Sequence, residues 1–228
     1  SSFKNQLVII RSKHTWLMSY VYIGTFGSFI GYSAAFPLLL KTQFPAITVG
    51  IAFLGPLVGS LSRPLGGLLA DKIGGAIVTF WNFMAMGAAT IGVMYFVSTR
   101  DFLGFLTMFL ILFVTTGIGN GSTYRMIPSI FREEKRRGAM GLGDAVQALA
   151  LKAASIESAA ALGFIGAVGA CGGYLIPRGF GASIAATGSP HLALAVFLLF
   201  YVTCIFITWH FYLRKVPEGL PSLAEARV

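Results

Sequence analysis

Six stretches of this chain are long and apolar enough to cross a lipid bilayer, and that excludes most folds before any other residue is considered. A spanning helix needs about 20 mostly apolar residues, and stretches at about 15–40, 46–70, 76–97, 102–131, 158–176 and 192–213 meet that length. Hydrocarbon offers no hydrogen bonds, so backbone polar groups crossing it must be satisfied within the protein, and segments of this length do so as helices. The expected fold class is therefore an all-α membrane protein, a six-helix transmembrane bundle occupying residues 1–228. Composition agrees. Charged residues make up 11% of the chain, against about 25% in soluble domains. Residues 132–157 form the one long connection. It is read as a cytoplasmic surface helix that starts after Gly143, with Asp144 as its N-cap.

The net charge of +9 invites a nucleic-acid reading, but the placement of the charges argues for a membrane instead. With the N-terminus inside, Lys4, Arg11, Lys13, Lys72, Arg132, Lys135, Arg136, Arg137, Lys152, Arg214, Lys215 and Arg227 share the inner side. Lys41, Arg100 and Arg178 are then outside, with Arg63 and Arg125 embedded. The positive-inside rule reads this asymmetry as both termini cytoplasmic, and no nucleic-acid partner is needed to explain it. Cys171 and Cys204 lie in apolar stretches and are read as small core residues. No metal pattern, cofactor motif or catalytic constellation is visible, so no enzyme and no cofactor is expected. His14, His191 and His210 fall near span ends, where anchoring at the interface is expected. The chain opens at Ser1 without a signal-peptide pattern and is read as a fragment or processed half.

Arg63 is the first candidate for function. It stands eight residues before Asp71, about 12 Å inside that end of its helix. A charge at such depth costs at least about 2.5–3.5 kcal/mol, which makes an intramembrane arginine a candidate binding group. A structural arginine bonded to neighbouring carbonyls is the other reading. Tyr22, Phe26 and Phe29 share one helical face at i, i+4 and i+7, a spacing that fits either packing or an aromatic pocket. The fifth stretch, GFIGAVGACGGYLIP, sets Gly166, Gly169 and Gly173 on one face, open to close helix packing or to a ligand.

Two motifs carry a family resemblance. The run GGLLADKIGG between the second and third stretches resembles the G-x3-D-[RK]-x-G loop of the major facilitator superfamily. The glycine-rich fifth stretch resembles the nitrate signature of the nitrate/nitrite porter family within it. KHTWLMSYVYIGTFGSFIGYSAAF and GPLVGSLSRPLGGLLADKIGG are similar to the seventh and eighth helices of bacterial members, and GSPHLALAVFLLFYVTCIFITWHFY to the last. The resemblance covers nearly the whole chain. It implies the C-terminal six-helix half of a twelve-helix porter, with the N-terminal half as a missing partner.

Carried over by position, the resemblance implies that Arg63 is one of two anion-binding arginines and that Tyr22 and Phe26 line the central site. It places Gly166 and Gly169 in the signature and Asn120 where serine is familiar; Pro64 after the arginine is a second departure. The implied substrates are nitrate and nitrite, moved by alternating access across a bacterial inner membrane. The complete porter is expected to act as a monomer. All eight acidic residues, Asp71, Asp101, Glu133, Glu134, Asp144, Glu157, Glu218 and Glu225, fall in loops, tails or span ends. Proton-coupled carriers use buried titratable groups, so exchange of nitrate for nitrite is expected. Proton symport and transport of another small anion are the alternatives.

Overall fold

The computed structural model describes residues 9–214 together with 223 and 228. Lys4, Lys215, Glu218, Glu225 and Arg227, counted above, lie outside the described residues. Six helical units long and apolar enough to cross a membrane follow one another: Lys13–Gln43, Val49–Ile73, Gly75–Ser98, Phe102–Gly138, Asp144–Thr187 and His191–Leu213. They are built from α1 (Lys13–Tyr22), α2 (Ser28–Gln43), α3 (Leu54–Ile73), α4 (Gly75–Ser98), α5 (Phe102–Gly138), α6 (Asp144–Ala170), α7 (Gly172–Thr187) and α8 (His191–Thr208). A π-turn, Ile23–Gly27, joins α1 to α2, a short 3-10 turn, Val49–Phe53, leads into α3, and a second π-turn, Trp209–Leu213, follows α8.

The core is aromatic at one end and polar in the middle. Phe36, Phe44, Phe105, Phe109 and Phe113 interlock between α2 and α5, with Phe36 and Phe109 ring centroids 4.7 Å apart. Offset and edge-on pairs of this kind contribute about 0.5–1.5 kcal/mol each beyond the area they bury. Hydroxyls tie the first unit to α8: Tyr201 meets Ser28 at 2.8 Å and Tyr32 at 2.6 Å, and Tyr20 meets Thr203 at 2.7 Å. Such bonds between helices are the polar glue available in a membrane.

Several boundaries differ from expectation. The fourth stretch extends beyond residue 131 to Gly138. α5 runs unbroken for 37 residues, because Gly117, Gly119 and Gly121 are buried in helix crossings that outweigh glycine's low propensity. The connection expected at 132–157 shrinks to the turn between Gly138 and Asp144, with Gly143 rather than Asp144 at the N-cap. The joint between α3 and α4 is the single residue Gly74, whose φ of 98° a side chain would strain. Asp71 and Lys72 belong to the last turn of α3, and Asp71 caps no helix.

The fifth unit is longer than 158–176. It breaks at Cys171, which is exposed rather than in the core, and continues as α7 to Thr187, so Arg178 is inside a helix and not in an outer loop. Cys204 is buried, as expected. His14 is buried too, 3.0 Å from the Tyr212 hydroxyl, and so is no interfacial anchor.

Candidate anion site

The crossing of α3 with α5 sets the position of Arg63. Gly59 and Gly66 on α3 face Gly117, Ile118 and Gly121 on α5 so closely that a Cβ at Gly121 would strike the Arg63 carbonyl oxygen, and one at Gly66 the Ile118 carbonyl. Ser62 seals the crossing by donating to the carbonyls of Gly59 and Val114, each at 2.9 Å. Backbones in such contact fix the base of the Arg63 side chain. α3 continues through Pro64, which has no N–H and therefore leaves the Ser60 carbonyl, one turn back, without its helical partner.

Arg63, Ser60, Gly59, Phe29 and Asn120 line a cavity of about 200 Å³. The guanidinium carbon of Arg63 lies 5.6 Å from the centroid of the Tyr124 ring, a cation–π contact. Among the described residues Arg63 makes no ion pair. A second hollow, lined by Arg63, Gly67, Gly121, Tyr124 and Arg125, opens from the other side of the arginine. Arg125 pairs with Asp71 at 3.4 Å, with both side chains at least half exposed. The acidic residue of the resembled loop thus meets a basic residue of α5.

Asn120 ties this cavity to the first unit. Its side chain is 1% exposed, and its carbonyl oxygen accepts from the Tyr22 hydroxyl at 2.9 Å. Tyr22 stacks on Phe26, centroids 5.1 Å apart and planes 25° apart. The π-turn Ile23–Gly27 occupies the chain between Tyr22 and Ser28, and π-turns inside helices occur often at functional sites. Phe29, one turn on, lies edge-on to Phe113 and lines the Arg63 cavity.

Gly169 closes the other flank. A Cβ there would fall 2.7 Å from the Tyr22 ring and 3.4 Å from Phe26. A Cβ on Gly172 would strike the backbone of Gly27, and one on Gly31 would fall 2.7 Å from the Gly172 carbonyl oxygen. A Cβ on Gly166 would meet nothing within 4 Å. The expected glycine face is therefore divided: Gly169, Gly172 and Gly173 pack against the first unit, whereas Gly166 is open.

The structure thus brings Arg63 and Asn120 into one cavity, joins Tyr22 and Phe26 to it through Asn120, sets Gly169 behind them, and leaves Gly166 apart. Sequence reasoning did not select Tyr124, Ser60 or the Gly117–Gly121 pair. Tyr124 follows Asn120 by four residues, and Gly117 precedes Gly121 by four, spacings that mark a shared helical face. An unpaired guanidinium beside a buried amide and aromatic rings is suited to a small planar anion, which its fork can engage through two hydrogen bonds at once.

No protein-family model matches the chain. Curated relatives do. The chain is 44% identical, over 96% of its length, to the nitrate/nitrite transporter NarU of Salmonella typhimurium, and 45% identical, over 94%, to NarU of Escherichia coli. It is 33% identical, over 96%, to the probable nitrate/nitrite antiporter NarK2 of Thermus thermophilus. The matches cover 48%, 47% and 46% of those relatives, so the chain spans about half their length. With six membrane-length helices and this similarity along almost its whole length, the chain belongs to the nitrate/nitrite porter family of the major facilitator superfamily, as one six-helix half.

Proposed function

We propose that this chain is the C-terminal half of a carrier that exchanges nitrate for nitrite by alternating access across a bacterial inner membrane. The observation that carries the reading is the Arg63 cavity, in which a guanidinium without an ion pair stands beside Phe29 and the buried Asn120–Tyr22 pair. Arg63 clamps the anion, and a cation of the N-terminal half completes its neutralisation. Tyr22, Phe26 and Phe29 shape the slot, while Gly169 lets the fifth unit approach the first. Gly166, open on this half, faces the translocation route. The Gly138–Asp144 end is cytoplasmic, where Lys135, Arg136 and Arg137 cluster. The complete carrier acts as a monomer.

Exchange is favoured over proton symport because the described acidic residues lie at or near helix ends, except Glu157, which is inside α6 and ion-paired with Lys135 at 2.8 Å. Asp101 caps α5, Asp71 is in the last turn of α3, and Glu133 near the end of α5 is bonded to Arg136 at 2.7 Å. Swapping one monovalent anion for another moves no net charge and needs no proton. The full-length protein in liposomes loaded with nitrite takes up external nitrate at a rate that ignores imposed pH and voltage gradients. Strong uptake into empty liposomes driven by an inward proton gradient overturns exchange, and no uptake of either anion overturns the function itself.

A further inference from the structure

Arg178 is a second arginine deep in a helix, and nothing in the anion site uses it. α7 ends against Gly188, whose carbonyl accepts from Gln43, and Ser98 bonds His191 at 2.7 Å, so three units terminate in one layer there. Arg178 stands ten residues before Gly188, about 15 Å from that layer at 1.5 Å per residue. A hydrocarbon core is about 30 Å thick, so this is close to its middle, beyond what snorkelling from a three-carbon stem relieves.

The direction of the side chain narrows the possibilities. At 100° per residue Arg178 falls about 200° around the helix from Ile176, which is buried against Gly31. It is exposed, on the face turned away from this half's core, and its contact is the ring of the equally exposed Tyr174 at 5.8 Å. No carboxylate among the described residues pairs with it. The flank of α7 that meets α8 is different. There Leu175, Gly179, Val196, Phe197 and Phe200 line an apolar hollow of about 330 Å³, chemistry suited to lipid chains. A guanidinium left in hydrocarbon beside that hollow is unfavourable by several kcal/mol, so its face must meet oxygen acceptors.

The relatives are about twice as long as this chain, so a surface of the remaining half is available to supply them. Height along the bundle sets what such a contact does. Gly31 packs on Ile176 and Ile30 on Gly173, and both helices run toward the Gly188 layer. Arg178 is therefore level with Ser33, about 6 Å beyond Phe29 and the Arg63 cavity. A contact between halves at that level lies on one side of the substrate site only, the side ending at Gly188.

We propose that Arg178 is a latch for that side. Its guanidinium is held by carboxylate or carbonyl oxygens of the remaining half when the Gly188 side is closed, and by water when it is open. Both states keep the charge hydrated or bonded, and only the closed state gains the latch. This rests on the reading of the chain as one half of an alternating-access carrier.

The test uses the full-length protein with a protease site in the connection between halves and Cys171 and Cys204 replaced by alanine. A photo-crosslinking amino acid at position 178 joins the two halves after cleavage, and the same group at Val196 does not. In the same background Arg178→Gln shifts the balance about tenfold toward the open form, the size expected for one charge-assisted bond. This is read as faster labelling of a cysteine at Ser33 by a membrane-impermeant thiol reagent, and Arg178→Lys stays near the parent. No cross-link between halves, or labelling at position 33 unchanged by Arg178→Gln, overturns the latch. Nitrate exchange by the parent protein is measured separately: exchange without a cross-link removes the latch alone, and a cross-link without exchange removes the transport reading and the latch's role in it, leaving only the contact between halves.

Discussion

Under the proposed function, Arg63 takes its role from its surroundings. Its charge is costly in the membrane, its carbonyl lies against Gly121, and its head reaches a cavity shared with Asn120 and Phe29. Lysine would keep the charge and lose the planar fork, so two aligned hydrogen bonds become one point contact. Arg63→Lys in the full-length carrier is expected to insert at normal levels and to lose nitrate uptake by about ten- to a hundredfold, the weight of about 1.5–3 kcal/mol for a bond to a charged group. Uptake within twofold of the parent would mean that charge alone suffices.

At the scale of elements, the helices are set by where glycine removes side chains. α3 and α5 touch backbone to backbone at Gly66, Gly117 and Gly121, and α7 touches the first unit at Gly27, Gly31 and Gly172. A methyl group at Gly121 meets the Arg63 carbonyl, which cannot swing aside as a side chain would. Gly121→Ala is expected to destabilise the folded protein by about 1–3 kcal/mol or more, the usual range for overpacking. Gly163→Ala, with nothing within 4 Å, is the control and should melt like the parent. Equal melting temperatures for both variants in detergent would show that the α3–α5 crossing is looser than its geometry implies. The π-turn at Ile23–Gly27 belongs to this scale as well, since it sets the offset between the Tyr22–Phe26 stack and Phe29.

For the whole molecule, charge placement and helix direction decide orientation together. α5 is about 55 Å long at 37 residues, well beyond a 30 Å hydrocarbon core, and its protruding end carries Glu133 gripping Arg136 and Arg137. The opposite layer, at Gln43, Ser98 and Gly188, holds few basic groups. With Cys171 and Cys204 replaced by alanine, a cysteine at Thr99 is expected to react with an impermeant thiol reagent added to intact cells. A cysteine at Met140 should react only after the membrane is opened. The reverse pattern would place the termini outside.

The sequence by itself determined the class of fold, because six runs of about 20 apolar residues leave a chain little alternative to spanning helices. It also singled out Arg63, since a charge in such a run is costly wherever the helix is placed. Local chemistry was enough for both. The sequence did not show that Gly166 and Gly169 part company, or that Arg178 is ten residues inside a helix rather than in a loop. Those outcomes depend on which backbone lies opposite each glycine and on the register at Ile23–Gly27 and Cys171, quantities set by contacts between residues far apart in the chain. Only the tertiary structure joins Tyr22 to Asn120, 98 positions apart, and so turns an aromatic stripe and an isolated arginine into one site.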